Sequence, residues 1–248
     1  MVSVPITFNR KGIMQTLKRA LVTGANSGIG YAITKKLLSM GYEVTGISRT
    51  ITDATFLNNH FQAIQVDLSD EKALKNLSSF LKKEEYSLLI NCAGFGVFAP
   101  HEELSFETIT KMSFLNLIAP MVLTNTLLRT LKKNDGYLIN ITSIEALRAS
   151  KFAALYSATK AGLKAFGDAL FEETRKSNLS ITNINPDMTE SAFYDTLRFD
   201  VSDKENEKLL AEDIADAVVH ILTMRKGAVV SEYTLRSLNF SIVKKAKK

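Results

Sequence analysis

Tyr156 and Lys160 stand four residues apart in Tyr156-Ser157-Ala158-Thr159-Lys160, inside a helical pattern, so both side chains lie on one helix face. A free phenol titrates near about 10, too high for proton transfer at neutral pH, and a neighbouring ammonium favours the phenolate and lowers that value. By spacing alone the pair is either an acid–base group or an ordinary exposed helix pair. A second chemistry lies in Thr23-Gly24-Ala25-Asn26-Ser27-Gly28-Ile29-Gly30, which follows an apolar run and opens a helical pattern. Glycines at a strand–turn–helix let the backbone turn tightly and approach a ligand, and the amides of the helix N-terminus can meet a pyrophosphate. His60, His101 and His220 are scattered without metal-ligand spacing, so no metal is expected. The single cysteine, Cys92, cannot form an internal disulfide.

Such residues need elements to hold them in place. Short apolar runs predict strands over 18–23, 43–48, 61–66, 86–91, 137–142, 179–184 and 228–235. Amphipathic segments between them predict helices over 29–40, 52–59, 70–83, 105–133, 153–177 and 211–224. This alternation implies right-handed βαβ crossovers: an α/β chain, one doubly wound Rossmann domain, with a parallel sheet of about seven strands and helices on both faces. Pro120 should bend or interrupt the long 105–133 helix. Residues 1–17 carry no clear period and read as an extension, so the domain is 18–248.

Composition limits the function classes. The 248 residues are 46% hydrophobic and 23% charged, ordinary for a globular protein, which excludes disorder and a disulfide scaffold. No unbroken apolar stretch reaches the roughly 18 residues of a spanning helix, and the N-terminus lacks a secretory signal; a cytoplasmic location is expected. The net charge of +5 lies partly in the final KKAKK, which reads as a solvated tail and not as a nucleic-acid contact.

The G-x-x-x-G-x-G spacing resembles the short-chain dehydrogenase/reductase family in its classical branch, and the likeness runs from Lys18 to about residue 195. Asp67-Leu68 is similar to the family's adenine contact. Asn91-Cys92-Ala93-Gly94 resembles its N-N-A-G motif, with cysteine for the second asparagine. Ser143 precedes Tyr156 by thirteen residues, and Asn116 sits on the long helix where the family has a catalytic asparagine. Pro186-Asp187-Met188-Thr189-Glu190-Ser191 resembles P-G-x-x-x-T, with Asp187 for glycine and Ser191 for threonine. The resemblance implies an oxidoreductase that moves a hydride between a nicotinamide cofactor and a carbonyl or alcohol. Tyr156 would be its acid–base, Lys160 would lower the Tyr156 pKa and hold the ribose, Ser143 would position the carbonyl, and Asn116 would steady a proton relay. The cofactor site it implies comprises Gly24, Asn26, Ser27, Gly28, Ile29, Gly30, Ser48, Arg49, Asp67, Leu68, Asn91, Ala93, Gly94, Tyr156, Lys160, Pro186, Thr189 and Ser191.

Cofactor choice is normally made at the end of the second strand, where an acid binds the ribose of NAD and a basic residue accommodates the 2′-phosphate of NADP. Here Ser48 occupies the position of the acid and Arg49 follows, so NADP is expected, with NAD as the alternative. A substrate loop is expected over about 187–207, with a pocket lining that includes Phe95, Phe98, Leu147, Phe152, Phe193 and Tyr194. Asp187 puts the local backbone geometry in question, because glycine tolerates angles that aspartate adopts less readily. The C-terminus lacks the family's D-G-G ending. A homodimer through the two long helices is expected, with a tetramer as the alternative. A silent dinucleotide sensor of the same fold is the other functional class, though a sensor has no chemical need for Asn116, Ser143, Tyr156 and Lys160 together.

Overall fold

Seven parallel strands form the frame. The computed structural model describes residues 6–8, 14–16 and 18–245. Ile6–Phe8 (β1) pairs antiparallel with Met14–Thr16 (β2), two short strands in a segment that carries no period; the rest of the 1–17 extension lies outside the described residues, as do the last three residues of KKAKK. The main sheet comprises Arg19–Thr23 (β3), Glu43–Ser48 (β4), Phe61–Gln65 (β5), Leu88–Asn91 (β6), Tyr137–Ile141 (β7), Ser180–Pro186 (β8) and Glu232–Leu235 (β10). Their order is β10-β8-β7-β6-β3-β4-β5. The chain winds one way from β3 to β5 and the other way from β6 to β10, so the winding direction reverses between β3 and β6. A crevice opens there at the C-terminal strand ends, the usual ligand position in such folds.

Buried strands alternate between two cores. Ala20, Val22, Leu88 and Ile90 face one side, where Gly28–Ser39 (α1) and Ala211–Thr223 (α6) pack through Ile33, Leu37, Ile214 and Val218. Leu21, Leu89 and Leu138 face the other, against Glu71–Leu81 (α2), Ala119–Lys133 (α4) and Ala154–Thr174 (α5).

Two predicted helices differ. Residues 52–59 make only one 3₁₀ turn, Asp53–Thr55. The Asp53 side chain accepts from the Ala63 amide at 2.7 Å and Asn58 from the His60 amide at 2.8 Å, so side chains tie the segment to the start of β5 in a non-helical path. Phe56 is buried in the core but its neighbour Leu57 is 99% exposed, so the segment presents one anchoring side chain and no helical apolar stripe. The 105–133 segment is divided into Phe106–Ser113 (α3), a π-helical turn at Phe114–Ile118, and α4. Pro120 has no N–H for the Asn116 carbonyl four residues back, and the turn widens so that the Ala119 amide donates to the Phe114 carbonyl. By length and composition the whole run Phe106–Lys133 could cross a membrane. Leu123, Leu127 and Leu131 nevertheless fill the core between α4 and the sheet.

Beyond the main sheet, Phe199–Asp200 (β9) pairs antiparallel with Val243–Lys244 (β11), which lays the C-terminal segment beside the 187–207 segment.

Candidate active site

The crevice is a cavity of about 1740 Å³ running from the glycine turn to the segment after Pro186, larger than the roughly 300–1,000 Å³ that houses a single small ligand. At its first end the Gly24 amide donates to the Ile47 carbonyl at 2.7 Å, and Gly24 adopts φ +71°. The Thr23 hydroxyl accepts from the Cys92 and Ala93 amides at 2.9 and 3.0 Å, which ties the β6 loop to the glycine turn. A Cβ on Gly30 would stand 2.3 Å from the Gly24 carbonyl oxygen, so only glycine lets α1 begin this close to the turn. Ser27 precedes α1 without capping it through its side chain, so the first amides of the helix are left for an anion. Burial alone would raise the Asp67 carboxyl, but the Ser69 hydroxyl and amide, with Lys111 and Arg49 nearby, hold it below its ordinary value. These features fit a dinucleotide.

Three of the four predicted catalytic residues, Ser143, Tyr156 and Lys160, line the second end, and Asn116 is buried behind the lining. Ser143 caps a short turn after β7, and its hydroxyl accepts from the Glu145 amide at 3.2 Å and lies close enough to the Tyr156 phenol to oppose its upward shift. Tyr156 and Lys160, one turn apart on α5, are 7% and 5% exposed. The expected effect of Lys160 on Tyr156 is absent. Burial pushes the phenol above its ordinary range, with Ser143 opposing, while burial brings the Lys160 ammonium down to about 8. The ammonium donates to the Ile141 carbonyl at 3.0 Å and lies 5.9 Å from the Tyr156 ring centre, so it is not aimed at the phenol oxygen. Asn116 is fully buried: Oδ1 accepts from the Phe95 amide at 3.1 Å, and Nδ2 donates to the Phe95 carbonyl at 2.9 Å and to Thr159 at 3.2 Å.

Most predicted cofactor residues line the cavity: Gly24, Ser27, Gly28, Ile29, Gly30, Ser48, Arg49, Asp67, Leu68, Ala93, Gly94, Tyr156, Lys160, Pro186, Thr189 and Ser191. Two do not. Asn26 donates to Thr50 at 3.0 Å, closing its own loop. Asn91 faces the core, donating to Asn140 at 3.0 Å. Of the predicted pocket residues, Phe95, Phe98, Phe152, Phe193 and Tyr194 line the cavity and Leu147 does not. Phe152 is held at φ +66°, in the left-handed region that β-carbon-bearing residues seldom adopt.

A family model described as short chain dehydrogenase matches residues 18–202. The chain belongs to the short-chain dehydrogenase family. Among relatives of this dehydrogenase, an uncharacterized oxidoreductase of Staphylococcus epidermidis is 31% identical over 229 residues, covering 88% of this chain and 96% of the relative. A probable short-chain type dehydrogenase/reductase of Helicobacter pylori is 35% identical over 171 residues, 67% of this chain and 63% of that protein. Among solved structures, an alcohol dehydrogenase from the archaeon Thermococcus sibiricus complexed with 5-hydroxy-NADP superposes with a TM-score of 0.79 at 25% identity, over 90% of this chain and 97% of that one. A 4-hydroxyisoleucine dehydrogenase complexed with NADH and succinate gives 0.76 at 25% identity, over 88% and 97%.

The backbone question at Asp187 resolves simply. The residue is outside the left-handed region, and the dehydrogenase stabilises its carboxylate with the Met188 amide at 3.0 Å and Arg236 at 3.3 Å. Sequence reasoning missed Arg236, Phe240 and Ile242 at this end. Phe240 and Ile242 line the cavity, and the only sequence signal for them was a C-terminus that departs from the family's ending.

Proposed function

We propose that this short-chain dehydrogenase transfers a hydride between NADP(H) and a carbonyl or alcohol, with Tyr156 as its proton donor and acceptor. The observation that carries the reading is that Ser143, Tyr156 and the buried Lys160 line one cavity together with the glycine turn. The cofactor, when bound, supplies or takes the hydride. Gly24–Gly30 and the first amides of α1 would hold its pyrophosphate, Asp67 and Leu68 its adenine, and Lys160 its nicotinamide ribose. Ser143 and Tyr156 would both donate to a carbonyl oxygen. Burial leaves the phenol protonated at neutral pH, the form that gives a proton to that oxygen in reduction, although the same burial weakens it as an acid. The Asn116 amide is committed to Phe95 and Thr159, so the relay role passes to its main-chain carbonyl, which Pro120 leaves without the usual helical donor.

NADP is favoured because Ser48 leaves no acid at the strand end, while Arg49 lines the cavity with no carboxylate within 4.0 Å among the described residues. The solved neighbours support a nicotinamide dinucleotide of either kind, one carrying 5-hydroxy-NADP and the other NADH. Residues 18–248 are proposed as one cytoplasmic oxidoreductase domain, with a substrate loop over 187–207. A homodimer through α4 and α5 is also proposed, supported by the exposed small residues Ala154, Ala158, Ala165 and Ala169 along α5.

The test is a fluorescence titration with NADPH and NADH, followed by turnover on a carbonyl panel. Tyr156→Phe should lower turnover by roughly 10³-fold with cofactor affinity nearly intact; unchanged turnover overturns the assignment. Arg49→Ala should weaken NADPH about 10-fold or more and leave NADH alone. An equal loss for both cofactors removes Arg49 from the 2′-phosphate site.

A further inference from the structure

Both departures from the family pattern, Asp187 and the C-terminal ending, meet at one cluster. The Asp187 Oδ2 accepts from Arg236 Nε at 3.3 Å, and its Oδ1 lies 3.7 Å from Arg148 Nη2. Arg148 Nε donates to Glu145 Oε1 at 2.9 Å, and Glu145 also accepts from Ser150 at 2.7 Å and Ser157 at 3.1 Å. The Arg148 guanidinium lies 5.8 Å from the ring centre of Phe240. The Asp187 and Glu145 side chains are 3% and 9% exposed, whereas Arg148 is 36% exposed and lines the cavity that holds Ser143 and Tyr156.

Charge in this cluster is balanced, two carboxylates against two guanidinium groups, as buried ions require. Hydrogen-bonding capacity is not balanced. Arginine offers five N–H donors in a planar fork, and among the described residues only Nε of Arg148 makes a hydrogen bond. Its Nη groups are therefore oriented by Glu145 and Asp187 without being satisfied by them. A fixed, half-exposed fork matches a planar acceptor with two oxygens, a carboxylate. A phosphate would bring more negative charge against Glu145 and Asp187 than a carboxylate does. The cations Lys151 and Lys244 line the same cavity, and neither has a carboxylate within 4.0 Å among the described residues.

We infer that Arg148 is the specificity residue of this pocket and that the substrate is an oxo acid or its hydroxy acid, held by its carboxylate. The inference rests on the carbonyl–alcohol reading above. In reduction the hydride goes to the carbonyl carbon and the Tyr156 proton to its oxygen, giving the hydroxy acid and oxidised cofactor.

The test compares short-chain oxo acids, each with its own methyl ester, on the NADPH-loaded enzyme, and in parallel measures by calorimetry the binding of the matching simple carboxylates and their esters to the NADP⁺-loaded enzyme. At least one acid should exceed its ester by about 10- to 100-fold in kcat/KM, and its carboxylate should bind correspondingly tighter, as expected for a charge-assisted hydrogen bond. Arg148→Gln should erase both ratios, and Arg148→Lys should restore only part of them, because an ammonium cannot form the fork. Acids and esters handled alike by the unmodified enzyme overturn the inference without reliance on any variant, as does a ratio that survives Arg148→Gln. Arg148-dependent carboxylate binding with no turnover of any carbonyl would uphold Arg148 as the carboxylate site and sink the reductase reading, and the oxo-acid substrate with it.

Discussion

Tyr156 and Lys160 are each pushed away from the charged form by the burial that brings them together, and the two shifts act in opposite chemical senses. A phenol held neutral keeps the proton that reduction needs but is a weaker acid for it, whereas a buried ammonium is a burden on stability. Lys160 titrates at about 8 in the folded chain against its ordinary 10.5. Between those values the unfolded chain binds more protons than the folded one, so stability rises with pH across that window. Below about 8 both states are protonated, and the full penalty of burying the ammonium is present. Lys160→Met should therefore raise stability near about pH 7 by roughly 1–3 kcal/mol while removing turnover. The gap in Tm between the variant and the parent should narrow towards about pH 9.5, where the parent's ammonium is lost. Thermal melts of both proteins at the two pH values check this. A variant less stable than its parent near neutrality would mean that the bond to the Ile141 carbonyl outweighs the desolvation.

At the scale of elements, a row of asparagines crosses the sheet beneath the site. Asn91, Asn140 and Asn183 face one another on β6, β7 and β8, donating along the row at 3.0 Å each and ending on Asp168 of α5 at 2.8 Å. The row fits under α5 because residue 167 is glycine. A Cβ there would stand 2.3 Å from Asn183 Oδ1 and 2.9 Å from Asn140 Nδ2. Gly167→Ala should destabilise the fold by about 2–4 kcal/mol, lowering Tm by roughly 5–15 °C, since the atoms it meets are buried and hydrogen-bonded. A melt within error of the parent would show that α5 can shift outward freely.

The same elements show what the sequence could and could not reveal. Buried parallel strands announce themselves as apolar runs, so the seven main strands and most helices were legible, as were Ser143, Tyr156 and Lys160 at their ends. Residues 52–59 were misread because Asp53 and Asn58 act through side-chain bonds that periodicity does not register. Asn91 was taken for a ligand residue because its motif position hides that its amide points into the core. The Asp187–Arg236 contact joins residues far apart along the chain, with no spacing to signal it; only the two departures from family pattern marked the place.

At the scale of the whole molecule, the last strand of the main sheet ends at Leu235, and the described residues beyond it add no strand to that sheet. They serve the substrate end instead. The Asn239 amide donates to the Asn206 carbonyl at 2.8 Å, the Lys245 amide to the Arg198 carbonyl at 3.0 Å, and Lys245 Nζ to the Tyr194 carbonyl at 2.6 Å. With β11 paired to β9, this segment straps the substrate loop from outside, while the glycine turn and Asp67 lie on other elements. The two halves of the site should then respond separately to loss of the strap. A chain ending at Leu235 should keep NADPH affinity within about threefold, because none of the proposed cofactor residues is removed. Its KM for a carbonyl substrate should rise at least about tenfold, as the loop loses its outer contacts and the pocket loses Phe240 and Ile242. Fluorescence titration and steady-state kinetics on the same preparation measure both quantities. Parallel loss of cofactor and substrate binding would mean that the strap supports the sheet itself, and an unchanged KM would mean that Phe240 and Ile242 stand clear of the substrate.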